Sequence, residues 1–221
     1  GLKDNNGRVT IDGFYDNVLP LSAEEREQFA RLPFSEEEFC RSVGVDVAGG
    51  GEKDYTPLER LWARPTLDVN GIWGGFTGAG AKTVLPSTAS AKISMRLVPG
   101  QETGDIAEKF TKHILAHAPA GVRVEVQSLH GGNPALTPVD TPAMEAAHRA
   151  LKRAFGTDPV YVREGGSIPI VLLFDTILGA PTVLMGFGLP SENIHSPNEH
   201  FDLGNFRRGI VASALFYDEL A

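Results

Sequence analysis

Hydrophobic and polar residues alternate with a period of two in three stretches of the first half of the chain. These stretches are "PTLDVNGIWGG" at 65–75, "STASAKISMRLVP" at 87–99 and "GVRVEVQSLHG" at 121–131. Such alternation is typical of half-buried antiparallel strands. Between the second and third stretches, 103–119 places apolar residues four positions apart, which predicts a helix with one buried stripe. We expect an α+β layer whose helix covers one face of an antiparallel sheet and leaves the other face open to water or a partner.

The first 60 residues are acidic and show no long periodic pattern. Two short helices are predicted, at 22–32 and at 34–44, and Ser22 can cap the first of them. The run "GGGEKD" at 49–54 predicts a flexible break. We interpret 1–60 as a solvated surface segment that precedes the sheet.

The second half alternates helical and apolar stretches after a break at "GGNPALTP", residues 131–138. We therefore expect two domains, 1–133 and 134–221, and the second has the pattern of part of an α/β sheet. Thr141 or Asp140 can cap its first helix, and Gly156 can end it. The predicted elements are, in order, a helix at 142–156, a strand at 158–167, a helix at 168–179, a strand at 180–188 and a helix at 205–220.

Charge and cysteine content exclude several classes of protein. The net charge of −8 provides no basic surface for a phosphate backbone, so a nucleic-acid partner is not expected. No stretch approaches the roughly 20 apolar residues of a membrane span, and the first residues lack the order of a signal peptide. The one cysteine, Cys40, excludes an intrachain disulfide and a zinc site of several thiolates. We interpret Cys40 as structural and expect a cytoplasmic protein.

Two loops that follow predicted strands are candidates for a binding site. In "REGGSIP" at 163–169, Gly166 would let a ligand approach the backbone, and Ser167 with the first helical amides could donate to an anion. A plain N-cap role for Ser167 is the alternative. His195 lies in the equivalent place after the next strand, so the two loops should be neighbours. It is either a metal ligand or an exposed, hydrogen-bonding turn residue.

Arg96 and Thr83 are the candidate residues of the first domain. Arg96 lies in a strand of alternating character, where its guanidinium group could bind a carboxylate through two hydrogen bonds. The alternative is a surface ion pair. Thr83 lies in "GAKTVLP", which precedes the second predicted strand.

Three stretches in this order resemble one family. "GAKTVLP" with "SMRLVP", then "REGGSIP", then "IHSPNEHF" are similar to the dizinc metallopeptidases that include carnosinases, cytosolic nonspecific dipeptidases and aminoacylases, with the dipeptidase branch most alike. The resemblance implies that 1–133 is a lid or dimerisation domain whose first strand and helix lie upstream. It implies that 134–221 is the C-terminal half of an α/β catalytic domain.

The resemblance also implies roles for the candidate residues. His195 corresponds to the last zinc ligand of the family, and Ser167, Gly166, Arg96 and Thr83 correspond to positions that hold the substrate's carboxylate and backbone. The complete enzyme would use two zinc ions, or manganese or cobalt, to hydrolyse dipeptides or related N-acyl amino acids. It would form a homodimer through the lid sheet.

The family's HxD motif, bridging aspartate and paired glutamates have no counterpart in this sequence, so no catalytic residue is assigned. Catalytic zinc takes about three protein ligands, and we expect the chain alone to be inactive. A non-catalytic dimerisation or interaction module is the alternative. A serine hydrolase that uses Ser167 and His195 is disfavoured, because "EGGSI" lacks the G-x-S-x-G turn and no acid is placed to orient the histidine.

Overall fold

A computed structural model of the chain describes residues 1–164, 168–180 and 182–221. The chain divides into two compact units. The first contains Gly1–Ser22 and Pro33–Pro134, and the second contains Ala23–Leu32 and Ala135–Ala221. The division after Pro134 falls inside the glycine- and proline-rich break, and the segment Ala23–Leu32 belongs to the second unit although it lies early in the chain.

The structure confirms all six predicted helices and adds one short helix. In chain order the elements are α1 Ala23–Ala30, α2 Glu36–Val43, α3 Pro57–Trp62, β1 Thr66–Gly74, β2 Ala89–Arg96, α4 Thr103–Ala116, α5 Pro142–Phe155, α6 Pro169–Leu178, the 3₁₀ turn Pro190–Glu192 and α7 Leu203–Leu220. Within the described residues, none of the helices combines the length and the apolar character that crossing a bilayer requires.

The ends of α5 show why its sequence forms a helix at this place. The Thr141 hydroxyl accepts a hydrogen bond from the amide of Met144 at 3.2 Å, and Pro142 occupies the first turn. Gly156 ends the helix with a φ of 76°, a conformation that glycine adopts without a steric cost. Both ends agree with the predicted capping.

Two of the predicted strands form an antiparallel pair. β1 and β2 run from the Thr66–Arg96 pair to the Gly74–Ala89 pair, with an irregularity between Val69 and Gly71. A small antiparallel sheet with helices is therefore the architecture that the structure supports.

The other three strand predictions are wrong for the residues that the structure describes. No strand forms at 121–131, and none forms in the described parts of 158–167 and 180–188. A strand requires a ladder of hydrogen bonds to a neighbouring strand. Alternation in the sequence predicts which residues share a face of a strand. It does not show whether a neighbouring strand is present to form the hydrogen bonds.

The core of the first unit corrects the interpretation of 1–60 as a solvated segment. Val9, Ile11 and Phe14 are buried and form one cluster with Leu67 of β1 and Ile106 of α4. The N-terminal segment is thus part of the core that covers one face of the sheet. Its apolar residues are interspersed with turn residues without a regular period, so the sequence pattern does not reveal them.

The "GGGEKD" run is also not a flexible break, because Glu52 is only 4% exposed. Arg64 donates to both carboxylate oxygens of Glu52, from Nε at 2.8 Å and from Nη2 at 2.9 Å. The guanidinium group of Arg64 lies 4.3 Å from the ring centroid of Tyr55 and 5.1 Å from that of Tyr15. Burial raises the pKa of Tyr15, and the charge of Glu52 adds to this effect. The pair and its rings fix the run against the core.

The second unit is held by close packing of α5 against α7. The facing residues are small, with Ala147 and Ala150 of α5 and Gly209 and Ala212 of α7 all buried. Small side chains let two helix backbones approach each other closely. Arg163 joins α1 to this unit, because its Nη2 donates to the Glu25 carboxylate at 2.8 Å.

We predict that Gly100→Ala destabilises the first unit strongly. Gly100 has a φ of 95°, and a Cβ at this position would lie 1.8 Å from the carbonyl oxygen of Asn17. Left-handed backbone and steric overlap together should lower the free energy of unfolding by about 3 kcal/mol. Denaturant-induced unfolding measures this change.

Gly104→Ala is the matched control. Gly104 lies in the first turn of α4, and a Cβ there would have no neighbour within 4 Å. Alanine should be neutral or stabilising by up to about 1 kcal/mol, because it is the better helix former. Similar effects of the two substitutions would contradict the described turn at Gly100.

Candidate functional site

The loop that contains His195 is organised around a buried carboxylate, that of Glu192. This side chain is only 2% exposed. Its Oε2 accepts from the amide of Leu189 at 2.9 Å, and its Oε1 accepts from the amide of Asp202 at 2.7 Å. Its backbone carbonyl also accepts from the amide of His200 at 3.1 Å. One side chain therefore joins the start of the loop to its end.

The backbone between these two anchors makes consecutive tight turns. Asn193, His195 and Asn198 have φ values of 55°, 62° and 63°, all in the left-handed region. The amide of Ser196 donates to the carbonyl of Asn193 at 2.8 Å. Asparagine tolerates this region, but a left-handed residue other than glycine generally costs about 1–2 kcal/mol. His195 is therefore held in its conformation by the loop around it.

The end of the loop is fixed to α7. The Asp202 carboxylate caps α7 by accepting from the amide of Asn205 at 2.7 Å. The Asn205 side chain donates to the carbonyl of Phe187, before the loop, at 3.1 Å. The Phe187 ring lies against Gly209 of α7, where a Cβ would come within 3.1 Å of it. The loop thus has a rigid base on both sides.

His195 is exposed, so its imidazole is accessible to a ligand. Over the residues that the structure describes, no group of three or more histidine, cysteine, aspartate or glutamate side chains could hold a metal ion. The second histidine of the loop, His200, is engaged through Nδ1 with the carbonyl of Asn198 at 3.0 Å. The loop therefore offers one candidate ligand, His195, whereas catalytic zinc takes about three protein ligands.

The other candidate residues lie in the first unit or outside the described residues. Arg96 is the last residue of β2, where it pairs with Thr66, and its side chain is exposed. Thr83 is exposed in the segment that connects β1 to β2. Ser167 and Gly166 lie outside the described residues. The roles that the resemblance implies for these residues stay predictions.

Sequence reasoning did not find Glu192. Its signal is the order "LPSE", in which a proline opens a helical turn and a glutamate follows at the third position. A glutamate at this position can accept from the amide that precedes the turn, which is one half of a capping box. The signal gives the bond to Leu189, whereas the bond to Asp202 depends on tertiary structure.

Comparisons with known proteins match the chain over nearly its full length. Residues 17–219 match the peptidase family M20/M25/M40. The chain is 31% identical to the Beta-Ala-His dipeptidase of Homo sapiens, over 100% of this chain and 44% of that protein. It is 32% identical to the Cys-Gly metallodipeptidase of Saccharomyces cerevisiae, over 97% of this chain and 45% of that protein.

A solved structure agrees with these matches. The M20 family metallo-carboxypeptidase from Sulfolobus solfataricus superposes with a TM-score of 0.82 at 32% identity, over 97% of this chain and 49% of that chain. The chain therefore spans less than half the length of the relatives that it matches.

We predict that Asn193→Ala is about 1 kcal/mol less stable than Asn193→Gly, because alanine is strained at a φ of 55° and glycine is not. Denaturant-induced unfolding of the two variants, measured in parallel, gives the difference. Equal stability of the two variants would show that the turn before His195 does not have the left-handed backbone described.

Proposed function

Since the chain belongs to peptidase family M20/M25/M40, we propose that the complete protein is a metal-dependent exopeptidase that hydrolyses dipeptides or related N-acyl amino acids. The observation that carries this proposal is the match of nearly the whole chain to two curated dipeptidases. The family resemblance drawn from the three motifs is confirmed by this match. Because the chain spans under half of each relative, the proposal concerns the protein of which these residues are part.

The residues present fit a metal centre as one part of its ligand set. His195 presents an exposed imidazole on a loop whose two ends are fixed by Glu192, and imidazole is a common zinc ligand. We assign His195 as a ligand of one of two zinc ions, with manganese or cobalt as alternatives. When bound, such ions polarise the scissile carbonyl and lower the pKa of a bound water.

Arg96 is proposed to bind the free carboxylate of the substrate. It lies at the end of β2 with an exposed side chain, and a guanidinium group can hold a carboxylate through two parallel hydrogen bonds. Recognition of this carboxylate would select exopeptidase chemistry. Thr83, Ser167 and Gly166 complete the proposed substrate contacts, with the substrate's backbone as their target.

The proposed domain organisation is a lid at 1–133 and the C-terminal half of the catalytic domain at 134–221. The separation of the compact units after Pro134 supports it, although Ala23–Leu32 groups with the second unit. A cytoplasmic location is also part of the proposal, and the single buried thiol of Cys40 is compatible with a reducing compartment.

We further propose a two-fold dimer through the lid sheet. In the part of the chain that the structure describes, the sheet has two strands, so each has an edge that no third strand covers. β1 exposes Ile72 to 79% and Trp73 to 51%. Open edges and exposed apolar side chains favour pairing with a second copy, and a two-fold contact is the commonest way to close such an edge.

In the full-length protein, Arg96→Ala should lower kcat/KM for free dipeptides by about 2–4 kcal/mol in transition-state terms, because a charged carboxylate loses its paired donor. Dipeptides whose carboxyl group is blocked as an amide should be affected little. Steady-state kinetics on both substrate types measures the difference.

Arg123→Ala is the matched control, since Arg123 is an exposed arginine of the same unit with an 88% exposed side chain, and it should leave both activities unchanged. The isolated 221-residue chain serves as the inactive reference. Equal losses on free and blocked substrates would show that Arg96 is structural. Absence of metal-dependent turnover by the full-length protein would contradict the peptidase function and favour an interaction module.

For the dimer, we predict that Ile72→Glu converts the self-associated chain to a monomer at micromolar concentration, because a charge replaces a large exposed apolar side chain in the contact. Leu115→Glu is the control, since Leu115 is 51% exposed on α4 rather than on the sheet. Sedimentation velocity distinguishes the species. A monomeric parent chain, or an Ile72→Glu variant that still associates, would contradict a dimer through this sheet.

A further inference from the structure

Glu192 is the least exposed charged side chain among the described residues, at 2%. Its carboxylate is held by the amides of Leu189 and Asp202, and no cation pairs with it in the part of the chain that the structure describes. A buried carboxylate without a cation carries a desolvation cost of several kcal/mol. Two charge-assisted bonds from the backbone offset this cost.

Local structure alone does not require the bond to Asp202. The Asp202 side chain itself caps α7, so Glu192 is not needed to start that helix. What Glu192 adds is the connection between Leu189 and Asp202, which lie on either side of His195. The connection closes the loop and leaves its left-handed turns little freedom to relax.

We propose that Glu192 is a positioning residue for His195, which fixes the direction in which the imidazole is presented to a metal ion. This proposal rests on the proposed function, because it takes His195 to be a metal ligand. Groups that orient a ligand typically change metal affinity 10–100-fold when they are removed. Both oxygens of Glu192 already accept amide hydrogens and the side chain is buried, so Glu192 acts through His195 and is not itself a ligand.

The test is Glu192→Gln in the full-length protein. Glutamine has nearly the same shape but only one acceptor oxygen, and its NH2 group would face the second amide. We expect zinc affinity, measured by competition with a chelator, to fall about 10–100-fold. Unchanged zinc affinity in the folded variant would overturn the proposal.

Ala212→Gly is the control for a merely structural effect. Ala212 is fully buried in α7, and glycine in a helix interior lowers stability by about 1 kcal/mol. This variant should keep the parent zinc affinity even though it melts earlier. Loss of zinc affinity in Ala212→Gly equal to that in Glu192→Gln would assign the effect to stability and overturn a positioning role.

His195→Asn separates the two proposals. If His195→Asn loses zinc affinity and Glu192→Gln does not, the positioning role fails while the metal-ligand assignment stands. If His195→Asn binds zinc like the parent, both fail.

A measurement on the unmodified protein decides the question if Glu192→Gln does not fold. Because the loop and the metal would stabilise each other, zinc should slow hydrogen exchange at the amides of Leu189 and Asp202, while amides in α5 should change little. Equal exchange with and without zinc at these two amides would overturn the proposal.

Discussion

Buried carboxylates hold three irregular segments of this protein in their conformation. Glu52, Glu59 and Glu192 are each at most 4% exposed. Glu52 is paired with Arg64, Glu59 accepts from the amide of Thr56, and Glu192 accepts from two loop amides. A buried charge that loses its partners costs several kcal/mol, so the segments that supply the partners cannot move away. The irregular backbone around Glu52, before α3 and between Leu189 and Asp202 is thereby held in place.

This constraint connects the fold to the candidate site. Functional residues are often carried by loops on a rigid base, and the loop of His195 has its base in Phe187, Asn205 and Asp202. Left-handed backbone at His195 persists because the surroundings determine it. The proposed role of His195 as a metal ligand would depend on such a fixed imidazole, since metal ligands must converge from different parts of a chain.

The sequence predicts the locally determined parts of the structure. Helix α5 follows from its apolar stripe, from Thr141 and from Gly156, which are all signals within a few residues. The pairing of β1 with β2 follows from alternation in two neighbouring stretches. Residues 121–131 have the same alternation but form no strand. A strand there would need hydrogen bonds to a neighbouring strand, which no local pattern specifies. The core role of Phe14 is hidden for the same reason, because its neighbours Leu67 and Ile106 are far away in sequence.

The candidate site likewise contains residues that a local motif indicates and one residue, Glu192, whose role depends on tertiary structure. The motifs point to His195, Arg96 and Thr83 as site residues, and their roles stay a prediction. Glu192 was missed because its role depends on an amide beyond the histidine. An apolar residue of similar size at 192 would avoid the cost of burying a charge, but it would leave the partly buried amides of Leu189 and Asp202 without their acceptor, at up to about 1–3 kcal/mol each. Since the surrounding backbone already turns its N–H groups inward, a carboxylate is the side chain that satisfies both, and this requirement accounts for a glutamate at a position that solvent scarcely reaches.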